Sequence, residues 1–339
     1  MEIDKAGAEA LISQFKMERL LRQDQAGRRI ALEGQISDQR AVLVLERAPF
    51  PVSESYLSKV SATLKDIQSL GANDVYHWYL ASTTSTTLPD EAHHPDLKVN
   101  LFYPATDKHV NKYSKQNLHV VHETPQIYKE LIRPYMERSR GEGRLRWMRN
   151  IIDGNAEVSD VIYRTPRKFG DNHEGFVLLP DLNWDRKTVE TLHLLTLVER
   201  NDIWSLRDLK KKHLCWLRHM KSMITEAVIK TYLGIQEDQL KFYVHYQPTY
   251  YHFHIHVVHV ALEAGATQAT GKAVGYESII SQLETMAGGE EAGMHDISIT
   301  YTVGEADDLW NEIFGSQISI EHGSNREHSG MYKEANSLI

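Results

Sequence analysis

Residues 245–260 read HYQPTYYHFHIHVVHV, and this stretch constrains the fold more than any other. His252, His254 and His256 alternate with Phe253, Ile255 and Val257, the two-residue period of a strand with one apolar face and one imidazole face. The run LKFYVHY (240–246) has the make-up of a second strand, and QPTY between the two reads as the turn of a hairpin. Two chemical accounts and one structural account fit three imidazoles on one face. Alternating imidazoles can supply neighbouring ligands to zinc or another divalent ion. A neutral imidazole is also a good nucleophile toward phosphorus at pH 7, provided neighbouring donors neutralise the phosphate oxygens. As plain core residues, three histidines would demand three sets of buried hydrogen-bond partners.

The 339 residues suit two domains, and the pattern of elements is α+β. In the first domain, residues 1–118, the spacing of Leu11, Phe15 and Leu20 predicts an amphipathic helix over 8–23. A buried strand is predicted over 41–50 and a helix over 53–70, the latter with Leu57, Val60, Leu64 and Ile67 on one face and Gly71 at its end. Strands over 75–80 and 98–104 flank a Ser/Thr-rich loop whose His93 and His94 read as solvated. ATDKHVNKYSKQ (105–116) reads as a helix carrying Lys108, Lys112 and Lys115 within about one face, either its wet side or a row of phosphate contacts.

In the second domain, residues 119–339, helices are expected over 126–139, 186–200, 210–232 and 272–286, with a buried strand in 176–184 stopped by Pro180. Leu214, Leu217, Ile224 and Val228 form one stripe, Gly234 stands as a C-cap, and Ser205 with Asp208 has the spacing of a capping box. The polar tail from about 320 is expected to be poorly ordered.

The formal net charge of -8 disfavours a protein that grips long nucleic acid by neutralising many phosphates, while leaving room for a small phosphorylated ligand. A single cysteine, Cys215, permits no intrachain disulfide and no cysteine-based zinc site, which suits a reducing compartment. No apolar run has the length of a membrane span, and the first thirty residues lack the apolar core of a signal peptide. The expected location is cytoplasmic, nuclear or both.

HFHIHVV fits the alternating pattern of the histidine-triad hydrolases and transferases, and the longer HYQPTYYHFHIH resembles the scavenger mRNA-decapping enzymes. YPATDKHVNKY (103–113), HET (122–124), Trp147 with Glu157, GFVLLPDLNW (175–184) and SLRDL (205–209) match segments of that family in the same order. The resemblance covers roughly residues 70–310.

The resemblance implies a homodimer whose N-terminal domains exchange between subunits and close over a C-terminal histidine-triad domain built on an antiparallel sheet. It implies hydrolysis of the residual cap, 7-methylguanosine-triphosphate-nucleoside, to 7-methyl-GMP and a nucleoside diphosphate, with no cofactor and no metal. The nucleophile would be His254, with His252 and His256 orienting it and donating to phosphate oxygens. His245, Thr249, Tyr250 and Lys272 fall at positions matching the phosphate site. Trp147 and Glu157 match the residues that stack on the cationic methylated base and bind its N–H edge, and Pro180, Asp181 and Leu182 match the opposite wall. Tyr76, Lys112 and Tyr113 would come from the lid, which would select short capped fragments over long mRNA.

One departure stands out: Asn183 occupies a position where the family usually has Lys, a loss of charge that Arg186 or Lys187 would have to offset. Two other readings remain. One is a cap-binding protein without efficient turnover; the other is a metal-dependent phosphohydrolase with His252, His254 and His256 as ligands.

Overall fold

The computed structural model describes residues 11–23, 28–73, 75–83, 95–107, 110, 113–141, 145–166, 174–181, 184 and 186–315, with side chains left aside at 71–73 and 76. It is a mixed α/β protein with antiparallel sheets, in two compact units: Arg47–Asn117 with Gly304–Asp308, and the remainder. Among the described residues no helix is long and apolar enough to cross a membrane.

At the N-terminus β1 (Lys16–Gln23), β2 (Arg29–Ile36) and β3 (Gln39–Glu46) form an antiparallel sheet. Of the helix expected over 8–23, residues 11–14 are helical and the chain is a strand from Lys16 onward. Strand β3 does occupy the predicted stretch, but it is not buried: Val42 and Val44 are 60% and 56% exposed.

In the smaller unit two helical turns, Glu54–Leu57 and Val60–Thr63, precede β4 (Lys65–Asn73), β5 (Tyr76–Ser82) and β6 (Leu97–Phe102), which pair antiparallel in that order. The helix expected over 53–70 is thus broken into two turns and a strand. The helical spacing of Leu57, Val60 and Leu64 is real, but the backbone from Lys65 takes its partners from β5, a nonlocal gain that single-segment propensity cannot register. His93 and His94 lie outside the described residues. Over 105–116, backbone bonds from Val110 to Thr106 and from Ser114 to Val110 have the helical spacing expected there.

The larger unit is organised by a six-stranded sheet in the order β13-β11-β12-β10-β9-β8, comprising Ala273–Gly275, Leu240–His245, His254–His259, His193–Val198, Phe176–Pro180 and Tyr163–Arg164. The histidine strand β12 lies inside it, paired antiparallel with β11 on one side and β10 on the other. Strand β10 replaces part of the helix expected over 186–200. HLLTLV is a short, mostly apolar run, which periodicity cannot assign, and pairing on both edges with burial on both faces makes it a central strand.

The longer helices among the described residues are α1 (Arg133–Gly141), preceded by a helical turn and a π-turn from Pro125, α2 (Arg146–Ile152), α3 (Leu214–Thr231) and α4 (Tyr276–Thr285). Helix α3 buries Leu217, Ile224 and Val228 as the stripe predicts, with Leu214 partly buried beside them, and Gly234 takes φ +94° just beyond its end. The Ser205–Asp208 capping box is formed, on a 3-10 turn rather than at the start of α3.

One face of the sheet, with Phe176, Leu178, Leu194, Ile255 and Val257, packs in the main core with α3 and α4. Val177, Leu179 and Leu197 on the other face pack against Leu145, Met148 and Ile151 of the α2 region. In β12 the partners of Leu195 and Leu197 are His256 and His254, so those imidazoles share this second face. A short sheet of β7 (Leu118–Glu123) and β14 (Ile299–Gly304) completes the unit.

Candidate active site

The three histidines of the alternating run are all buried, and each is held differently. His254 Nδ1–H donates to the carbonyl of His252 at 2.8 Å, which leaves Nε2 with its lone pair free. It is therefore the backbone of His252 that orients His254. The His252 ring turns elsewhere, with Nε2 2.7 Å from the Val198 carbonyl. His256 Nδ1 lies 3.2 Å from His193 Nε2, while its own Nε2 is buried with no hydrogen-bond partner among the described residues. Burial pushes His252 down to about 4 and His254 to about 3, and pushes His256 well below the usual imidazole range, so all three are neutral at pH 7.

Aromatic rings frame this group. Tyr250 stacks on His254 at 4.4 Å between centroids and meets Trp147 edge-on at 5.1 Å, linking the α2 aromatic to the imidazole face. Trp147 itself keeps 38% of its surface exposed, enough for a second flat ring to lie against it. Glu157 follows α2 in a left-handed conformation, φ +52°, and is partly buried. Pro180 ends β9, and Asp181 just after it donates its N–H to the His193 carbonyl at 2.9 Å.

On the β11 side, His245 Nε2 donates to the Thr267 carbonyl at 2.8 Å, and burial lowers its pKa to about 4. Lys272 donates to the carbonyl of Gln247 at 2.6 Å, tying down the turn that carries Thr249. The geometry thus brings together Trp147, Tyr250, His245, Lys272 and the triad. Leu182, Asn183 and Lys112 lie outside the described residues, and Tyr76 is described only as backbone in β5, paired with Phe102. Tyr113 is exposed and packs on Phe102 at 5.1 Å within the smaller unit. Arg186, a candidate to offset Asn183, is engaged in a bidentate pair with Asp160 at 2.8 and 2.9 Å.

The ligand set imagined for a metal is corrected. Among the described residues, the groups with ligand atoms within 4.8 Å of one another are His245, His254 and His256, and Asp181, His193 and His256. His252 joins neither, because its ring is anchored on β10's end.

Sequence reasoning missed two kinds of residue. His193 was hidden in a segment expected to be helical, where nothing marked it as facing His256. Glu123 and Arg207 sit in the matched segments HET and SLRDL, yet their pairing is nonlocal. Both side chains are fully buried, with Arg207 Nη2 2.7 Å from Glu123 Oε1. Glu123 also accepts from Tyr246 at 2.6 Å, Tyr301 at 2.7 Å and Gln247 at 3.1 Å, while Arg207 Nη1 donates to the carbonyls of Met294 and Ile297. A buried ion pair satisfied on this scale fixes the start of the 246–249 turn, and through it the hairpin that carries the triad.

Two family models match the chain: scavenger mRNA decapping enzyme (DcpS) N-terminal over residues 10–116, and scavenger mRNA decapping enzyme C-term binding over residues 146–271. A Schizosaccharomyces pombe protein named m7GpppX diphosphatase is 35% identical over 305 residues, covering 90% of this chain and 96% of its own length. The proteins of the same name from Ascaris suum and Homo sapiens are 33% and 32% identical, over 80% and 74% of this chain and 84% and 72% of their own. The second model begins at α2 and runs through the triad, so its match spans the surfaces described above. Both by sequence over most of its length and by the models that cover its two parts, the chain belongs to the scavenger mRNA decapping enzyme family.

Proposed function

We propose that this chain hydrolyses the residual 5′ cap, 7-methylguanosine-triphosphate-nucleoside or a short capped oligonucleotide, to 7-methyl-GMP and a nucleoside diphosphate. The observation that carries the reading is the His254 hydrogen bond: with Nδ1–H tied to the His252 carbonyl, the Nε2 lone pair is the nucleophile. In the first step Nε2 bonds to the phosphorus nearest the methylated guanosine, the bond from that phosphorus to the bridging oxygen breaks, and the nucleoside diphosphate leaves. Water then attacks the same phosphorus, the P–N bond breaks, and the imidazole returns to its neutral form as 7-methyl-GMP departs.

Donors must meet the charge that develops on the phosphate oxygens. His256 with a proton on Nε2, Lys272 and the backbone amides of the turn bearing Thr249 would supply them. The cationic base would stack on Trp147 with its N–H edge toward Glu157, opposite a wall of Pro180, Asp181 and Leu182. The chain would work as a homodimer with exchanged N-terminal domains, Tyr76, Lys112 and Tyr113 closing over the substrate and limiting its length. Asn183 would then slow the reaction relative to a lysine at the same place.

The test is incubation of 7-methylguanosine-triphosphate-guanosine with the protein and with a His254→Asn variant, in chelator and in water enriched in oxygen-18. The expected products are labelled 7-methyl-GMP and unlabelled GDP from the wild type alone. Label in GDP would place the attack on another phosphorus, and equal binding without turnover by both proteins would make the chain a cap-binding relative.

A further inference from the structure

Hydrogen-bond accounting around the nucleophile leaves a second chemistry at the same place. His254 keeps its Nε2 lone pair, and His245, whose Nε2–H is spent on the Thr267 carbonyl, keeps the lone pair of Nδ1. His256 has a buried Nε2 without a hydrogen-bond partner among the described residues. One nitrogen from each of these three rings lies within 4.8 Å of the others, and ring centroids are 4.3 Å apart for His245 and His256 and 5.4 Å for His254 and His256. Three imidazoles grouped this closely on neighbouring strands offer ring nitrogens of the kind a divalent cation takes.

We propose that His245, His254 and His256 bind one Zn2+ ion, which occupies the nucleophile's lone pair and so holds the enzyme inactive until the ion is removed. Zinc bound by three imidazoles keeps a fourth position for water, and a tetrahedral ion with Zn–N near 2.0–2.1 Å sets its nitrogens about 3.3 Å apart. The rings need to close by no more than about 1.5 Å from their present separation to meet that geometry. Imidazole-only donors select Zn2+ and Cu2+ over Mg2+ and Ca2+, which favour oxygen.

Around the cluster the outer contacts are those a metal site uses to fix its ligands. One nitrogen each of His254 and His245 donates to a backbone carbonyl, and Nδ1 of His256 meets His193. Asp181, 3.7 Å from His193 Nε2, adds negative charge behind the pair, against the positive charge of Lys272 at the turn. The His193–His256 contact also explains how one ring serves two ends. With its proton on Nδ1 and aimed at His193, His256 offers Nε2 as a ligand; with His193 donating instead, Nε2–H becomes a donor for a phosphate oxygen.

Titration of the metal-free protein with Co2+, followed by its visible absorption, tests this directly. One four-coordinate Co2+ per chain is expected, displaced by Zn2+ and by a non-hydrolysable cap analogue. His245→Asn and His256→Asn should each weaken binding at least about tenfold, whereas His252→Asn on the same strand should keep it, because that ring sits on Val198 outside the cluster. Zn2+ but not Mg2+ should abolish cap hydrolysis by the wild type, and chelator should restore it. Absence of a stoichiometric site, binding that survives both His245→Asn and His256→Asn, or turnover that rises with metal would each overturn the proposal. The absorbance needs no turnover, so failure of cap hydrolysis in chelator would count against the catalytic reading and leave the metal site to be judged by itself.

Discussion

The N-terminal β1–β3 sheet has strands of 8 residues, longer than any in the six-stranded sheet, yet it is much the less buried of the two. Every residue of β9 and β12 is buried, and all but one of β10. No residue of β1 is buried, and β3 alternates only between partly buried and exposed. Both are paired antiparallel, although the β1–β2 register shifts between Met17 and Arg19 and between Leu20 and Arg22. What separates them is cover: helices and loops lie on both faces of one sheet, and Met17, Leu20, Val42 and Val44 lie open on the other. A strand is thus made by pairing, whereas its contribution to stability comes from what packs on it.

That contrast can be broken most severely at the buried ion pair. Glu123→Ala leaves Arg207 charged in a fully buried position, and a loss of about 3–5 kcal/mol is expected in urea unfolding. A loss under 1 kcal/mol would show that water reaches the site and that the pair does not anchor the hairpin turn. Within the central sheet, Leu194→Ala opens a cavity where the side chain is completely buried, and about 3 kcal/mol should be lost by the same measurement.

Acid should act on the covered region next. His213, at the entry to α3, is pushed down to about 4 by burial and then by the neighbouring Arg200 charge; His252 and His245 are held near 4 as well. The unfolded chain takes up these protons first. The stability they confer is therefore complete above about pH 6.5 and is lost as the pH falls toward 4, so Tm should drop steadily across that window. A His213→Gln variant should show a shallower drop; an unchanged slope would mean that His213 is solvated.

The smallest effect is expected at the open sheet. Val44→Thr should change monomer stability by no more than about 0.5 kcal/mol, because the side chain is already exposed. Should the substitution instead lower the concentration-dependent Tm by several degrees, that face is covered in an assembly, and sedimentation of the variant would then show weakened association.

Much of the larger unit is legible in the chain itself. The period of two over His252–Val257 and the matching run over 240–246 specify a hairpin, because a one-residue slip would turn the imidazoles to the opposite face. The 210–232 stripe likewise carries its own helix, since the apolar spacing and the covering sheet agree. Segments whose backbone partners lie far away were not legible: Lys16–Gln23, Lys65–Asn73 and His193–Val198 read locally as helix and are strands.

For the site, the sequence alone determined which side chains could do the chemistry, because alternation along one strand is a local property. Only the tertiary structure decided how they are divided: His252 lends its carbonyl while its ring turns to Val198, His245 joins His254 and His256, and His193 arrives from the neighbouring strand. The reason is that a ring's free nitrogen depends on where its other nitrogen finds a partner, and those partners come from strands and turns remote in sequence.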